Sequence, residues 1–328
     1  MTTRIDDIDK KLVSLIQRDF PITEEPFSAL GERLDISGEQ VIQRVEKLKK
    51  EGIVRLIGPV FDARKLGYQT TLVAMKVAES RLNEAARVIS EHTWVSHAYQ
   101  RNHDLNLWFT LAQTADTDVP MELQRLKDLI GAEVVINLPA LKVFKIGAYF
   151  DMYDDSSFSD AGIDYSQRLS TASHLSVADR DLINGVERDI PLILRPFDAK
   201  SAELGLHVDQ FLDSILSLKQ RGVIRRFGAA INHNNAGFRA NAMACWIVEQ
   251  DKVDKAGQKL AEIRQVSHCY ERKTNPLWSY NLFAMIHGHT REICEDIIGK
   301  ISGELGLNDY MLLFSTREFK KTRVSYVV

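Results

Sequence analysis

Cysteine is scarce in this sequence: Cys245, Cys269 and Cys294 are the only three among 328 residues, and no two stand in CxxC spacing. An odd, unpaired set argues against a disulfide framework and a structural zinc site, and suits a reducing cytoplasm. Long apolar runs are lacking too. None approaches the roughly 18 residues of a membrane span, and the opening MTTRIDDIDKK is polar, so a soluble cytoplasmic protein is expected. With a formal net charge of -3 there is no global attraction to nucleic acid. No GxSxG, GxGxxG or GxxxxGKS occurs, which argues against a serine hydrolase, a dinucleotide site and a phosphate loop. His287-Gly288-His289 has no Cys, Asp or Glu at ligand spacing, so no protein-held metal is expected. Cys269 follows His268 directly, and alternation along a strand sends the two to opposite faces, which is awkward for a thiol nucleophile.

The chain is long enough for two or more domains, and 45% of it is hydrophobic. Its organisation is set by internal repetition. A displacement of 170 positions lays Arg18, Asp19, Pro21, Pro26, Phe27, Leu34, Gln40, Leu48, Lys49, Gly52, Arg55, Gly58, Gly67 and Ala74 on identical residues without a gap. The match resumes at 171 for VSHAYQR (from Val95) against VSHCYER (from Val266), and at 175 for Asn106 against Asn281 and Phe144-Lys145 against Phe319-Lys320. The chain reads as a tandem duplication. The stretch from Asp151, acidic and Ser-rich, reads as a linker over 151–175.

Each copy divides again. Helical spacing of Ile5, Ile8, Leu12, Leu15 and Ile16, a short helix to Leu34, a turn at Asp35 to Ser37, and VIQRVEKLKK stopped by Gly52 give a helix-turn-helix with a wing over Ile53 to Phe61. The remainder reads strand, helix, strand, strand, helix, strand, with helices over Leu82 to Glu91, Met121 to Ile130, Val253 to Ile263 and Arg291 to Ser302. The expected fold class is α+β: each copy a winged helix-turn-helix (1–62 and 176–232) followed by a ferredoxin-like βαββαβ domain (63–150 and 233–328). Such a sheet leaves one face to pack on a partner or line a cavity, so the copies are expected to pair as a pseudo-dimer, with a homo-oligomer also open.

A winged helix invites a DNA-binding reading. Copy one offers Gln40, Gln43 and Arg44 on its reading helix, but copy two places Asp209 and Asp213 where phosphates would be met, so nucleic acid is not the expected partner. The basic residues Arg55, Arg64, Lys65, Arg225 and Arg226 read as surface charges or part of an anion site.

Alternation along a strand puts Val95, His97, Tyr99 and Arg101 on one face, and Val266, His268, Tyr270 and Arg272 likewise in copy two. His103 adjoins the first set; Trp278 and Tyr280 adjoin the second. Any one of these residues alone would be an ordinary polar sheet residue or a satisfied core histidine. Presented twice, guanidinium for carboxylates, imidazole for protons, and phenol and indole for a flat ring describe a pocket for a flat polyanion.

The winged helix with a ferredoxin-like domain resembles the Lrp/AsnC regulators over nearly the full length of each copy. The strings YQRNHDLNLWFTL, SHCYERKTNPLWSYNLFAMIHG and LPALKVFKIGAYFDM are similar to siroheme decarboxylases, in which two related Lrp-like subunits occur separately or fused. Lys273 to Asn275 depart from that pattern, which has proline directly after the arginine. The resemblance implies loss of CO2 from the acetates on rings C and D of siroheme, leaving methyls in didecarboxysiroheme, on a route to haem or dioxo-haem. It implies no added cofactor, since the macrocycle accepts the electrons and carries its own iron. His268 would lead as proton donor, with His97 or His103 as its counterpart, assisted by Tyr270 and Tyr99. Arg272, Arg101, Lys145 and Lys320 would hold carboxylates, and Trp278 and Tyr280 would wall the ring beside Asn281. His287 would bind substrate, approaching the iron axially. A DNA-binding regulator and a non-catalytic tetrapyrrole carrier or sensor stay open.

Overall fold

The computed structural model describes residues 5–18, 20–147, 173–186, 189–232, 240–263, 265–288, 290–322 and 326. The expected linker therefore lies outside the described residues as far as 172, as do Asp19 and His289.

In copy one, α1 (Asp7–Arg18), α2 (Pro26–Leu34) and α3 (Gly38–Lys50) form the helical module, and β1 (Val54–Phe61) is its wing. Ser37 starts α3 with a capping box: its hydroxyl accepts from Gln40 N–H, while Gln40 turns its amide oxygen back onto the Ser37 N–H. Copy two repeats this as α6 (Val177–Gly185), α7 (Asp198–Glu203), α8 (Val208–Gln220) and β6 (Ile224–Ile231). The two modules share one core, in which Leu12, Ile16, Phe27 and Val45 pack with Ile183, Phe211, Ile215 and Phe227. The wings β1 and β6 pair antiparallel with Gly58 opposite Gly228. They are bound to each other rather than splayed toward a groove.

The ferredoxin-like halves are β2 (Tyr68–Lys76), α4 (Leu82–Glu91), β3 (Val95–Arg101), β4 (Leu107–Thr114), α5 (Val119–Ile130) and β5 (Val134–Ile146) in copy one. Copy two has β7 (Ala240–Trp246), α9 (Val253–Glu262), β8 (Val266–Arg272), β9 (Leu282–Gly288), α10 (Arg291–Leu305) and β10 (Tyr310–Lys321). The last strand of each half is long enough to serve both copies. β5 pairs with β2 through Pro139, then with β8 from Ala140 to Ile146; β10 pairs with β7 through Phe314, then with β3 from Ser315 to Lys321. Bulges at matching places, Ala140/Lys142 and Val143/Lys145 against Ser315/Arg317 and Glu318/Lys320, turn the strands at the crossover. The result is one closed eight-stranded barrel in the order β10-β3-β4-β2-β5-β8-β9-β7, with no edge left exposed. Its helices lie outside, packed on Val73, Phe109 and Leu111 in one half and Ala244, Trp246 and Ile286 in the other.

Gly228 lies where α1 crosses the paired wings, and an added Cβ would stand 2.5 Å from the Ile16 carbonyl oxygen, a backbone atom that cannot turn aside. Gly228→Ala is expected to destabilise the protein by about 1–3 kcal/mol, read as a lower denaturant midpoint with unchanged slope. An unchanged midpoint would mean α1 and the wings are not packed this closely.

Candidate active site

Strand alternation brings the duplicated His-x-Tyr-x-Arg residues onto the inner wall of the barrel. The valines do not follow. Bulges between Val95 and His97 and between Val266 and His268 rotate Val95 and Val266 into the helix-facing cores, correcting the expectation that they share the histidines' face. Along each strand the inner side chains then stack: His268 lies 6.2 Å from Tyr270 between ring centroids, and His97 lies 6.5 Å from Tyr99. Arg272 sits 4.7 Å over the Tyr270 ring and Arg101 5.6 Å over that of Tyr99.

The arginines lie deepest and cross between copies. Arg101 Nη1 donates to the Leu313 carbonyl at 2.7 Å, and Arg272 Nη1 donates to the Leu138 carbonyl at 2.8 Å. Each Nε is buried without a partner among the described residues. Burial lowers both guanidinium pKa values to about 10, which leaves them charged at neutral pH. The groups that act electrostatically on them are Tyr99, Tyr270, Cys245 and Arg64, none of them a carboxylate.

The end nearest the wings is also cationic. Arg55 from β1 donates to the Lys321 carbonyl at 3.1 Å and lies 3.6 Å from Glu318. Its repeat partner Arg225, on β6, makes no hydrogen bond or ion pair among the described residues, and its Nε is buried. The position matching Glu318 is Val143; the two face Tyr99 and Tyr270 respectively in the strand register. Burial pushes His268 down to about 3, helped by the positive charges of Arg225, His97, Lys321 and Arg272, and His97 down to about 4, helped by Lys321 and Arg55. Burial lowers Lys321 to about 8 against the opposing pull of Glu318, with Arg55 adding to the effect. It raises both tyrosines, Tyr270 against the opposing pull of Arg272, Arg225 and Arg64. At neutral pH the facing strands thus present uncharged imidazoles, protonated phenols and the charged guanidinium groups of Arg101 and Arg272.

Other expected site residues are placed differently. Lys145 donates to the Ile263 carbonyl at 2.8 Å and Lys320 to the His92 carbonyl at 2.7 Å, at the C-terminal caps of α9 and α4, so both lie on the helix side of the barrel wall. The bulges of β5 and β10 account for this, and the helix ends favour the cations. Asn281 spends its amide on the backbone of Val248, accepting at 2.9 Å and donating at 2.8 Å, as Asn106 does with Val77. Trp278 and Tyr280 lie in the cluster around Trp108 rather than beside the His-Tyr faces, and His103, the alternative proton donor, packs against Trp278. Trp278 packs 5.3 Å from Trp108, 5.5 Å from His103 and 5.2 Å from Tyr280, closing the barrel beyond the arginines as a floor. The departure at Lys273 to Asn275 shapes that floor: Asn275 and Trp278 close a turn through reciprocal backbone bonds that delivers the indole inward.

Sequence reasoning passed over Ser267. Its hydroxyl lies 2.9 Å from His268 Nδ1 and 2.9 Å from His287 Nε2. Ser96 meets His97 Nδ1 at 2.9 Å, but Ala112 stands where copy two has His287. The only available signal was the string VSH in both copies. The reading helices carry little for DNA. Arg44 is bound by Asp6 and Asp9, Lys47 by Asp9, and Asp209 and Asp213 are exposed on α8.

Comparison with known proteins agrees with this architecture. The model of the AsnC-like ligand binding domain matches residues 65–145 and 235–320, and that of the siroheme decarboxylase NirDL-like HTH domain matches residues 9–55 and 179–225. The siroheme decarboxylase of Hydrogenobacter thermophilus is 38% identical over 323 residues, covering 96% of this chain and 94% of that protein. The siroheme decarboxylase beta subunit of Methanosarcina barkeri is 43% identical over 146 residues, 44% of this chain and 96% of that subunit. The crystal structure of the siroheme decarboxylase NirDL superposes with a TM-score of 0.73 at 34% identity, covering 98% of this chain and 95% of that one. The same enzyme in co-complex with an iron-uroporphyrin III analogue gives 0.72 at 33%, with the same coverage of both chains.

His97 and His268 stay neutral in the folded chain at pH values where an ordinary histidine, at 6.5, takes a proton. The unfolded chain therefore binds more protons below 6.5, and stability falls with pH by up to about 1.4 kcal/mol per unit for each histidine until its folded pKa is reached. The double variant His97→Asn/His268→Asn is expected to lose less stability than the wild type between pH 7 and 4.5 in denaturant titrations. Identical slopes would refute the assignment.

Proposed function

The chain belongs to the siroheme decarboxylase family and has that enzyme activity; we propose that its barrel binds one siroheme and removes CO2 from the acetates on rings C and D, leaving methyl groups. The observation that carries this reading is the pair of buried guanidinium groups, Arg101 and Arg272, with no carboxylate acting on them, beside the paired His-Tyr faces. Keeping a charge away from water costs several kcal/mol unless it is paired, and a flat macrocycle bearing carboxylates supplies such partners. Arg225, Arg64 and Lys321 at the wing end, with Arg272 and Arg101 deeper, are the proposed anchors, while Tyr99 and Tyr270 offer phenolic hydrogens to carboxylate oxygens.

Decarboxylation breaks the bond between the methylene and the carboxyl carbon and leaves an electron pair that the conjugated ring takes up. One proton must then reach the methylene. His268 is the proposed donor, with His97 across the chamber as its counterpart. A carboxylate held as firmly before as after CO2 departs would gain no rate.

Purified protein incubated anaerobically with siroheme is expected to yield products lighter by one and then two CO2 by mass spectrometry. Unchanged siroheme that stays bound would favour a carrier. Salt-sensitive binding to specific duplex DNA without turnover would favour a regulator. Arg225→Ala is expected to raise KM roughly 10–100-fold, the loss of one charge-assisted contact, whereas Arg55→Ala, whose guanidinium is already near Glu318, is expected to cost less. An equal effect of both would remove the asymmetry from the binding site.

A further inference from the structure

We infer that Ser267 and His287 form a proton relay behind His268, which fixes the tautomer of His268 and recharges it, and that this makes copy two the proton-supplying half of the site. The inference rests on the proposed function and adds positioning residues to it.

The geometry is a three-membered chain across two neighbouring strands. Ser267 Oγ stands 2.9 Å from His268 Nδ1 on its own strand and 2.9 Å from His287 Nε2 on β9. Ser267 also approaches the Met285 carbonyl at 3.3 Å, a longer contact that its single hydrogen can give up. A hydroxyl that donates to His268 Nδ1 accepts from His287 Nε2–H. In that arrangement His268 carries its hydrogen on Nε2, the nitrogen not used by Ser267, and can present it to a substrate methylene. When that proton leaves, the Ser267 hydrogen passes to His268 Nδ1 and the His287 Nε2 hydrogen passes to Ser267. The proton His287 gives up from Nε2 is made good by one taken up on Nδ1, so both rings are neutral before and after.

Such a supply is needed because His268 cannot store a proton unaided. The groups that bear on it are Arg225 from β6, His97 from β3, Lys321 from β10 and Arg272 from its own strand, all basic. Asn241 lies directly opposite His287 in the β7–β9 pairing, and its side-chain oxygen is buried without a hydrogen-bond partner among the described residues. Copy one has the first link only. Ser96 meets His97, and Ala112 ends the chain. Because the repeat aligns Ala112 with His287, the difference is a side chain and not a change of fold.

The test uses full-length Ser267→Ala, Ser267→Thr and His287→Gln with siroheme, assayed for binding by the absorption spectrum and for turnover by mass. Ser267→Ala and His287→Gln are expected to lower kcat 10-fold or more with KM within about three-fold, to shift the acid limb of the pH profile, and to straighten a bowed proton inventory in mixed light and heavy water. Ser267→Thr, which keeps the hydroxyl, is expected to recover most of kcat, and Ser96→Ala to lose less than Ser267→Ala. Wild-type kcat and pH profile in His287→Gln would overturn the relay while leaving the decarboxylase reading intact. A changed spectrum of the bound iron in His287→Gln would overturn it in favour of axial ligation. A wild-type protein that turns over no siroheme would instead defeat the underlying reading.

Discussion

Two guanidinium groups held inside a closed barrel, with carbonyl oxygens and no carboxylates for company, set the terms for the rest of this molecule. Arg101 and Arg272 each reach across to the final strand of the opposite copy, so the contact that joins the halves also buries the charge. A core of this size could have been filled with Leu and Phe, as the floor around Trp108, Leu138, Phe283 and Leu313 is. Retaining uncompensated cations above that floor costs stability. That cost falls when an anion enters, so folding energy withheld from the empty protein becomes available for binding.

Strand exchange explains how the duplicated groups meet. Because β5 and β10 each serve two sheets, the inner faces of both copies turn toward one space, and His97 comes close enough to act on His268. The paired wings complete the enclosure with Arg55 and Arg225. A helix-turn-helix built for a duplex keeps its wings apart and its reading helix free. Here the wings are hydrogen-bonded to each other, and the cations of α3 are bound by Asp6 and Asp9. The module has become the wall of a chamber.

Much of this was legible in the sequence because repetition makes pattern audible above noise. The fold of each copy followed from periodicity, and α4 runs from Leu82 to Glu91 as its spacing predicts. The His-Tyr-Arg face followed from alternation. What alternation could not register was a bulge. One extra residue reverses every inward and outward assignment beyond it, which is why alternation placed Val95 and Val266 on the histidines' face. Barrel closure was equally hidden, since no local property of LPALKVFKI says that its second half pairs with a different copy from its first. Ser267 escaped for a chemical reason: a serine between valine and histidine is unremarkable until the strand beside it brings His287 within hydrogen-bond reach.

Fusion lets the copies differ, and the differences fall where a symmetric dimer would be wrong. A homodimer must place the same residues at both corners of its central chamber. This chain has Glu318 beside Arg55 but Val143 at the position matching Glu318, and His287 behind Ser267 but Ala112 behind Ser96. One corner thereby has a carboxylate beside its guanidinium and only the first link of the proposed relay; the other keeps Arg225, its Nε buried and no carboxylate bound to it among the described residues, and has both links. Siroheme itself has no two-fold symmetry in its acetates, so a site with two equal corners would admit more than one orientation and present the wrong side chains part of the time. On the proposed reading, unequal corners would select the orientation by charge before any proton moves, and the corner that attracts the carboxylate most strongly would be the one equipped to complete the reaction.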